Sequence, residues 1–357
     1  MRFKVIALVV IGLFLLTGIS CSNTPKKSRK PVAQITLQPK KKKLALGDSV
    51  RIEVTVKVKD GELDKAELFY DNQLLKTSEE EIFNFTISKL NALGKHQIKV
   101  VSTKQDGEEG VSFQTFEVLS NQEPELYSYE IVNTYPHDTN HFTQGLEVHE
   151  NQFYESTGQN GESSIYRFDL QSGKVLQEVP LDKQYFGEGI TIVNNKIFQL
   201  TYKAQKCFVY DLNSFARIDS FSYNTAEGWG LTHDGEYLIK TDGSEFLDFV
   251  NPETFQVVKR IPVYDDKGPV TNLNELEYYE GYVYANIWQT NFAVKIDPKT
   301  GQIAAKIDFS GLMSVMYNPS KPIDVLNGIA FNKTNGKMYV TGKLWPNLFE
   351  VKLTKKD

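Results

Sequence analysis

Apolar and polar residues alternate along most of this chain, in short runs broken by turn residues every eight to twelve positions. Period-two alternation of that length predicts half-buried strands. Four such runs fill residues 145–150, 153–157, 165–169 and 174–181, and comparable runs recur at 196–201, 207–211 and 216–223, then at 282–286, 293–297 and 303–309. The chain therefore reads as all-β.

Each group of runs opens on one signature. It is Phe142-Thr143-Gln144-Gly145-Leu146 in the first group, Gly187-Glu188-Gly189-Ile190 in the second and Gly228-Trp229-Gly230-Leu231 in the third. Leu273-Asn274-Glu275-Leu276 and Leu326-Asn327-Gly328-Ile329 open the last two. A large or hydrogen-bonding residue stands before a glycine, or before Glu275 in the fourth copy, and an aliphatic residue follows. The spacings of 44, 41, 45 and 53 residues, with four strands per repeat, favour the blades of a β-propeller. The fifth group stops one strand short at 349–353, and the unrepeated run at 126–134 is expected to supply its outer strand, closing a ring of five blades.

Residues 31–120 are also β in pattern but lack the repeat. Runs at 35–37, 50–58, 66–70, 73–76, 82–87, 94–102 and 111–119 predict a seven-stranded immunoglobulin-like sandwich that spaces or docks the second domain. Residues 121–125 read as a linker and 126–353 as the propeller domain. At the start, Arg2 and Lys4 precede an apolar run at 5–16, so residues 1–20 read as a signal peptide. Cys21 follows small residues and resembles the lipid-attachment cysteine of bacterial lipoproteins, although Gly18 stands where leucine is usual; a conventional cleaved signal and an uncleaved anchor are the alternatives. The expectation is an exported, lipid-anchored protein of the bacterial cell envelope, tethered through residues 21–30.

The net charge is −5, and removing residues 1–20 takes away two positive charges, which argues against a nucleic-acid partner. With Cys21 acylated, Cys207 has no partner for a disulfide, and its strand context makes it a buried small hydrophobe.

In a propeller the first strand of each blade lines the central channel, so Gln144, Glu188, Trp229, Asn274 and Asn327 should converge at one mouth. The ends of the second strands are hairpin partners of those positions and bring Tyr202, Trp288 and Lys343 to the same mouth. A purely structural ring would favour apolar or small residues, so these side chains point to a pocket. The connectors at 265–272 and 310–325 are expected to rim it. Trp345, followed by Pro346, reads as structural. His137 and His141 are four apart, with His149 beyond, but Pro136 and Asp138-Thr139-Asn140 argue against a helix that would join them. No cysteine or carboxylate completes a set at zinc spacing, so no metal is expected and His137 is assigned to ordering its loop with Asp138. Neither a phosphate-binding glycine loop nor a nucleophile elbow is present, and no cofactor is expected.

The order of the motifs resembles one family, the plant-type glutaminyl-peptide cyclotransferases or glutamine cyclotransferases, which are five-bladed propellers. Tyr135-Pro136-His137-Asp138 leads into Phe142-Thr143-Gln144-Gly145-Leu146, followed by Phe186-Gly187-Glu188-Gly189 and Glu227-Gly228-Trp229-Gly230-Leu231. Asn272-Leu273-Asn274-Glu275-Leu276-Glu277, Asn286-Ile287-Trp288, Leu326-Asn327-Gly328-Ile329-Ala330 and Val340-Thr341-Gly342-Lys343-Leu344-Trp345-Pro346 complete the series. The resemblance covers residues 126–353. It implies an enzyme that turns the N-terminal glutamine of a peptide or protein into pyroglutamate and ammonia, and it carries over Phe142, Gln144, Glu188, Trp229, Asn274, Trp288 and Lys343. Tyr202 departs from the pattern, since Thr-Trp is common there.

The residues suit that chemistry. The substrate's own α-amine attacks its side-chain carboxamide, so no protein nucleophile or metal is required; positioning, a proton shuttle and charge stabilisation are. Glu188 suits the shuttle, Lys343 the developing oxyanion or a peptide carbonyl, and Asn274 the orientation of the reacting groups. Phe142, Gln144, Trp229, Trp288, Tyr202 and Asn327 are assigned to substrate binding in a monomeric enzyme. The competing reading is a non-catalytic propeller lipoprotein that binds a peptide, glycan or partner protein at the mouth; it has no need of the Glu188, Lys343 and Asn274 set.

Overall fold

The computed structural model describes residues 28–316 and 322–356; the leader segment and Cys21 lie outside the described residues. The described residues form strands throughout, with one short 3-10 turn at Leu312–Val315. In the N-terminal unit one sheet orders Val32–Gln38, Val50–Lys57 and Ile82–Ile87. The second orders Lys43–Ala45, Glu109–Leu119, Gly94–Lys104, Leu63–Tyr70 and Gln73–Ser78. Alternation decides the inward faces: Val50, Ile52, Val54 and Val56 are buried, and Leu68, Ile98, Val100 and Val118 meet them in one core. Lys43–Ala45 makes eight strands here, not seven. Its apolar signal is hidden beside a lysine run, and parallel pairing with Glu117, Val118 and Leu119 fixes it.

From Thr143 onward the strands fall into groups that pair in chain order. Thr143–His149 opens a four-stranded antiparallel sheet, and so do Gly187–Val193 and Leu231–His233. Leu273–Tyr279 opens the next four strands, and Leu326–Phe331 opens the last three. These two groups share an eight-stranded sheet because the strand Glu125–Pro136 lies between them. It runs antiparallel to Asn347–Lys355 and, at its start, parallel to Ala305, Lys306 and Ile307. The unrepeated N-terminal run thus does act as the outer neighbour of the last strand.

The five opening strands pack against one another in a closed circuit, with Leu326–Phe331 returning to Thr143–His149. Glycine makes that approach possible. A Cβ on Gly145 would lie 2.6 Å from Ile190 N, one on Gly189 2.4 Å from Leu231 N, and one on Gly230 2.0 Å from Asn274 O. Glu275, in the glycine's place, accepts hydrogen bonds from Leu146 N at 3.3 Å and Ile329 N at 2.7 Å, pinning two other opening strands. Apolar clusters fill the spaces between successive sheets, and Cys207 is fully buried in one of them.

The connector 265–272 does not border the cavity described below; it meets the N-terminal unit instead. Ser120 N donates to Asp265 O at 3.1 Å, and Lys43 Nζ to Lys267 O at 3.1 Å. Tyr264, 1% exposed, enters the N-terminal core, with its hydroxyl 3.2 Å from Glu117. Gln302 Nε2 adds bonds to Ser120 and Asn121.

Candidate active site

Where an opening strand begins, its pairing with the second strand slips. Register breaks fall between Thr143 and Gly145, Gly187 and Ile190, Leu273 and Leu276, and Leu326 and Ile329. Gln144, Glu188, Asn274 and Asn327 sit inside those breaks. A bulge takes a residue out of the ladder and re-aims its side chain, which is how four strand residues come to face one end of the ring. Trp229 stands just before the short strand Leu231–His233. Tyr202, Trp288 and Lys343 follow directly on second strands that end at Thr201, Ile287 and Gly342.

A cavity of about 260 Å³ opens among them. Phe142, Gln144, Glu188, Tyr202, Trp229, Asn274, Trp288 and Lys343 line it, together with Phe186, Gln289, Asp324 and Val325. Asn327 does not. It lies fully buried behind Gln144, and its Nδ2 donates to Thr143 O at 3.0 Å and to Gln144 Oε1 at 3.2 Å. With its oxygen so occupied, Gln144 turns Nε2 toward Glu188 Oε1, 3.3 Å away. Asn327 therefore orients a wall residue instead of forming the wall.

The aromatic side is built from crossed rings. Trp229 and Trp288 meet edge to face at 5.5 Å, and Phe186 packs against both Phe142 and Tyr202. Trp229 donates its indole N–H to Glu227 Oε2 at 3.0 Å, and Lys203 approaches Glu227 to 3.5 Å. Lys343 Nζ sits over the Phe142 ring, 4.7 Å from its centre. Asn274 Oδ1 is buried without a partner among the described residues. Asn274 lines the cavity, and a buried acceptor without a partner is one that a ligand N–H would satisfy once the side chain shifts to expose it.

Burial drives the electrostatics. The Glu188 carboxyl is 4% exposed, and loss of water pushes its pKa well above the usual carboxylate range; Lys343 opposes the shift and Glu227 adds to it. Burial likewise lowers the pKa of Lys343, against the attraction of Glu188 and Asp324. The cavity thus holds a carboxyl that keeps its proton above the ordinary carboxylate range, a desolvated amine, an amide acceptor without a partner among the described residues and flat apolar walls. Among the described residues no serine, threonine, cysteine or histidine lines it.

Two lining residues, Phe186 and Gln289, were missed from sequence, whereas Asp324 and Val325 fall in the connector 310–325 that was expected to rim the pocket. Phe186 and Val325 had a signal: each stands two places before its ring residue, as Phe142 does, and Glu227 holds the same position before Trp229. Gln289 had none. Of the two connectors, 310–325 borders the cavity through Asp324 and Val325, whereas 265–272 does not.

The histidine assignment needs correction. His137 and His141 are brought together without a helix, their rings 5.6 Å apart, and Glu155 of the strand Gln152–Thr157 supplies a carboxylate that sequence spacing did not reveal. His137 bonds Trp345 O and Glu155 rather than Asp138. Trp345 itself is 1% exposed and part of the apolar core.

Residues 104–353 match the profile of the family described as glutamine cyclotransferase. The chain is 39% identical over 226 residues to a glutaminyl-peptide cyclotransferase of Arabidopsis thaliana, an alignment covering 63% of this chain and 71% of that protein. It also superposes on the crystal structure of Myxococcus xanthus glutaminyl cyclase with a TM-score of 0.62 and 36% identity, over 66% of this chain and all of that one.

Proposed function

The chain belongs to the glutamine cyclotransferase family, and we propose that it is a glutaminyl-peptide cyclotransferase closing the N-terminal glutamine of peptides or proteins into pyroglutamate. The observation that carries this reading is Glu188, stripped of water beside Lys343 and Asn274 in an aromatic cavity. The substrate α-amine nitrogen attacks the side-chain carboxamide carbon, and the carbonyl becomes a tetrahedral oxyanion. Glu188 takes a proton from the attacking nitrogen and passes it to the departing NH2, which leaves as ammonia when the C–N bond breaks. Lys343 stabilises the oxyanion, and the free Oδ1 of Asn274 accepts from the substrate's amine or amide. Trp229, Trp288, Phe142 and Tyr202 hold the folded glutamine side chain in its ring-closing geometry, while Gln144 orients Glu188.

The wider organisation follows. The five strand groups around a closed circuit are the five blades of a propeller spanning residues 126–353, and the two packed N-terminal sheets, residues 31–120, are an immunoglobulin-like domain. Arg2 and Lys4 ahead of the apolar run at 5–16 support a signal peptide over residues 1–20 with Cys21 as the lipid attachment site, which would put a monomeric enzyme in the cell envelope.

The test is ammonia release from Gln-peptides, with mass spectrometry for loss of one ammonia, by the parent and by Glu188→Gln. The parent turns over, and the variant loses about 10²–10⁴ in kcat. A folded parent inactive on a panel of Gln-peptides would leave a binding propeller in place of an enzyme.

A further inference from the structure

We propose that His137, His141 and Glu155 form a binding site for one divalent transition-metal ion of the zinc class, on the loop that delivers Phe142 and Gln144 to the cavity. All three side chains are buried, and one donor atom from each lies within 4.8 Å of the other two. His137 Nε2 is 3.2 Å from Glu155 Oε1, and His141 Nδ1 is 2.7 Å from Glu155 Oε2. Tetrahedral zinc with bonds of about 2 Å sets its ligand atoms roughly 3.3 Å apart, so the His141–Glu155 contact would lengthen, and any pair wider than that, up to the 4.8 Å bound, would close, to seat an ion.

Hydrogen-bond direction supplies the second argument. His137 Nδ1 lies 2.8 Å from the carbonyl oxygen of Trp345, which can only accept, so that nitrogen carries a hydrogen. A neutral ring then turns the lone pair of Nε2 toward a carboxylate whose oxygens are 3.2 and 3.3 Å away. Two acceptors then face each other, an arrangement that either a metal cation between them or a second proton on the ring would satisfy. Among the described residues the ion pairs of Glu155 are with these two histidines, not with lysine or arginine. A carbonyl behind Nδ1 is also the outer partner that orients a metal-ligating imidazole. His141 turns Nδ1 inward and keeps Nε2 4.0 Å from Asp138, whose side chain is 43% exposed and marks the way in from solvent. Thr143 Oγ1 donates to Glu155 Oε1 at 2.7 Å and holds the carboxylate in place; two imidazole nitrogens and one carboxylate are a ligand set that suits zinc.

The position gives the ion a structural task. His137 N donates to Pro346 O at 3.0 Å, and Leu344 N to His141 O at 2.8 Å. A metal here would rivet the turn that follows Lys343 to the loop that precedes Gln144, without entering the cavity.

The full chain, stripped with a chelator and desalted, is titrated with Zn2+ by calorimetry and with Co2+ by visible absorption. One ion binds saturably, Co2+ gives the intense ligand-field bands of a tetrahedral site, and Zn2+ raises Tm. His141→Ala and Glu155→Gln each weaken binding by about 100-fold or more, whereas the double variant His149→Ala, His233→Ala, altered at a separate cavity, binds as the parent does. Circular dichroism checks each fold; should the variants fail to fold, parent stoichiometry and the cobalt spectrum decide. Absence of saturable binding and of a cobalt spectrum in the parent leaves a protonated imidazole as the counter-charge and overturns the proposal, as does binding indifferent to His141→Ala. None of these readouts involves glutamine turnover, so the outcome is independent of the proposed activity.

Discussion

Glu188 and Lys343 face one cavity, and burial pushes their pKa values toward each other, the carboxyl upward and the ammonium downward. Each partly restores the other's charge. Shifts in these opposite directions narrow the gap between the two groups' proton affinities, which favours a shuttle between two nitrogens of the same substrate.

The acid limb of kcat/KM therefore lies above the ordinary carboxylate value of 4.5. Lys343→Gln removes the positive charge that opposes the shift, so Glu188 keeps its proton to higher pH and the limb moves up, besides the loss of rate. Profiles of parent and variant on one Gln-peptide share the substrate amine's own ionisation, so the difference reports Glu188. A limb that stays in place would mean that another group governs it.

Glu227 acts on the same limb with the opposite sign. Its charge raises the pKa of Glu188, so Glu227→Gln moves the limb to lower pH while an oxygen remains to accept from Trp229. Glu227→Ala also releases the indole, which raises KM by about 3- to 10-fold, the worth of one hydrogen bond. Comparing pH profiles and KM for the two variants separates charge from positioning.

Asn327→Ala leaves Gln144 without the donor that fixes its amide. The expected result is a kcat lower by about tenfold with KM nearly unchanged, since the aromatic walls are untouched. A change confined to KM would return Asn327 to the binding wall.

Glu275 makes stability depend on pH. Its carboxyl is 1% exposed, and burial pushes its pKa up to about 8 in the folded chain. A raised carboxyl contributes stability that is complete below its unfolded value and is lost as pH rises through the folded one. The parent accordingly loses ground to Glu275→Gln between pH 4.5 and about 8, by up to about 1.4 kcal/mol per pH unit. Denaturant melts at stepped pH measure the gap; a constant gap would rule out this titration.

Gly230→Ala drives a methyl group to within 2.0 Å of the Asn274 carbonyl oxygen, and about 1–3 kcal/mol of stability is expected to go with it. Gly268→Ala, with open space around it, serves as the control and leaves Tm unchanged. Because Asn274 lines the cavity, kcat should fall in the first variant and not in the second.

Much of the architecture was legible because alternation and repeat length are local. Period-two runs marked strands in the first, second and fourth groups, and the recurring residue before a glycine, or before Glu275, marked Gln144, Glu188, Trp229 and Asn274 as neighbours although they stand some forty residues apart. The lysine run concealed Lys43–Ala45, since a three-residue strand has too few positions to show alternation against charged neighbours.

The sequence by itself determined most of the strands, the repeat and the family, since each depends on residue order alone. Only the tertiary structure decided what the side chains do. Register breaks at the opening strands turn Gln144, Glu188 and Asn274 into the cavity but leave Asn327 behind Gln144, a difference of side-chain direction that identical motif positions cannot encode. Glu155 reaches His137 and His141 because a hairpin folds back beneath their loop, and spacing rules for ligands describe helices and turns, not that crossing. Burial of Glu188 and Glu275 moves their pKa values because water is excluded by residues from several sheets at once, and no stretch of sequence contains that environment.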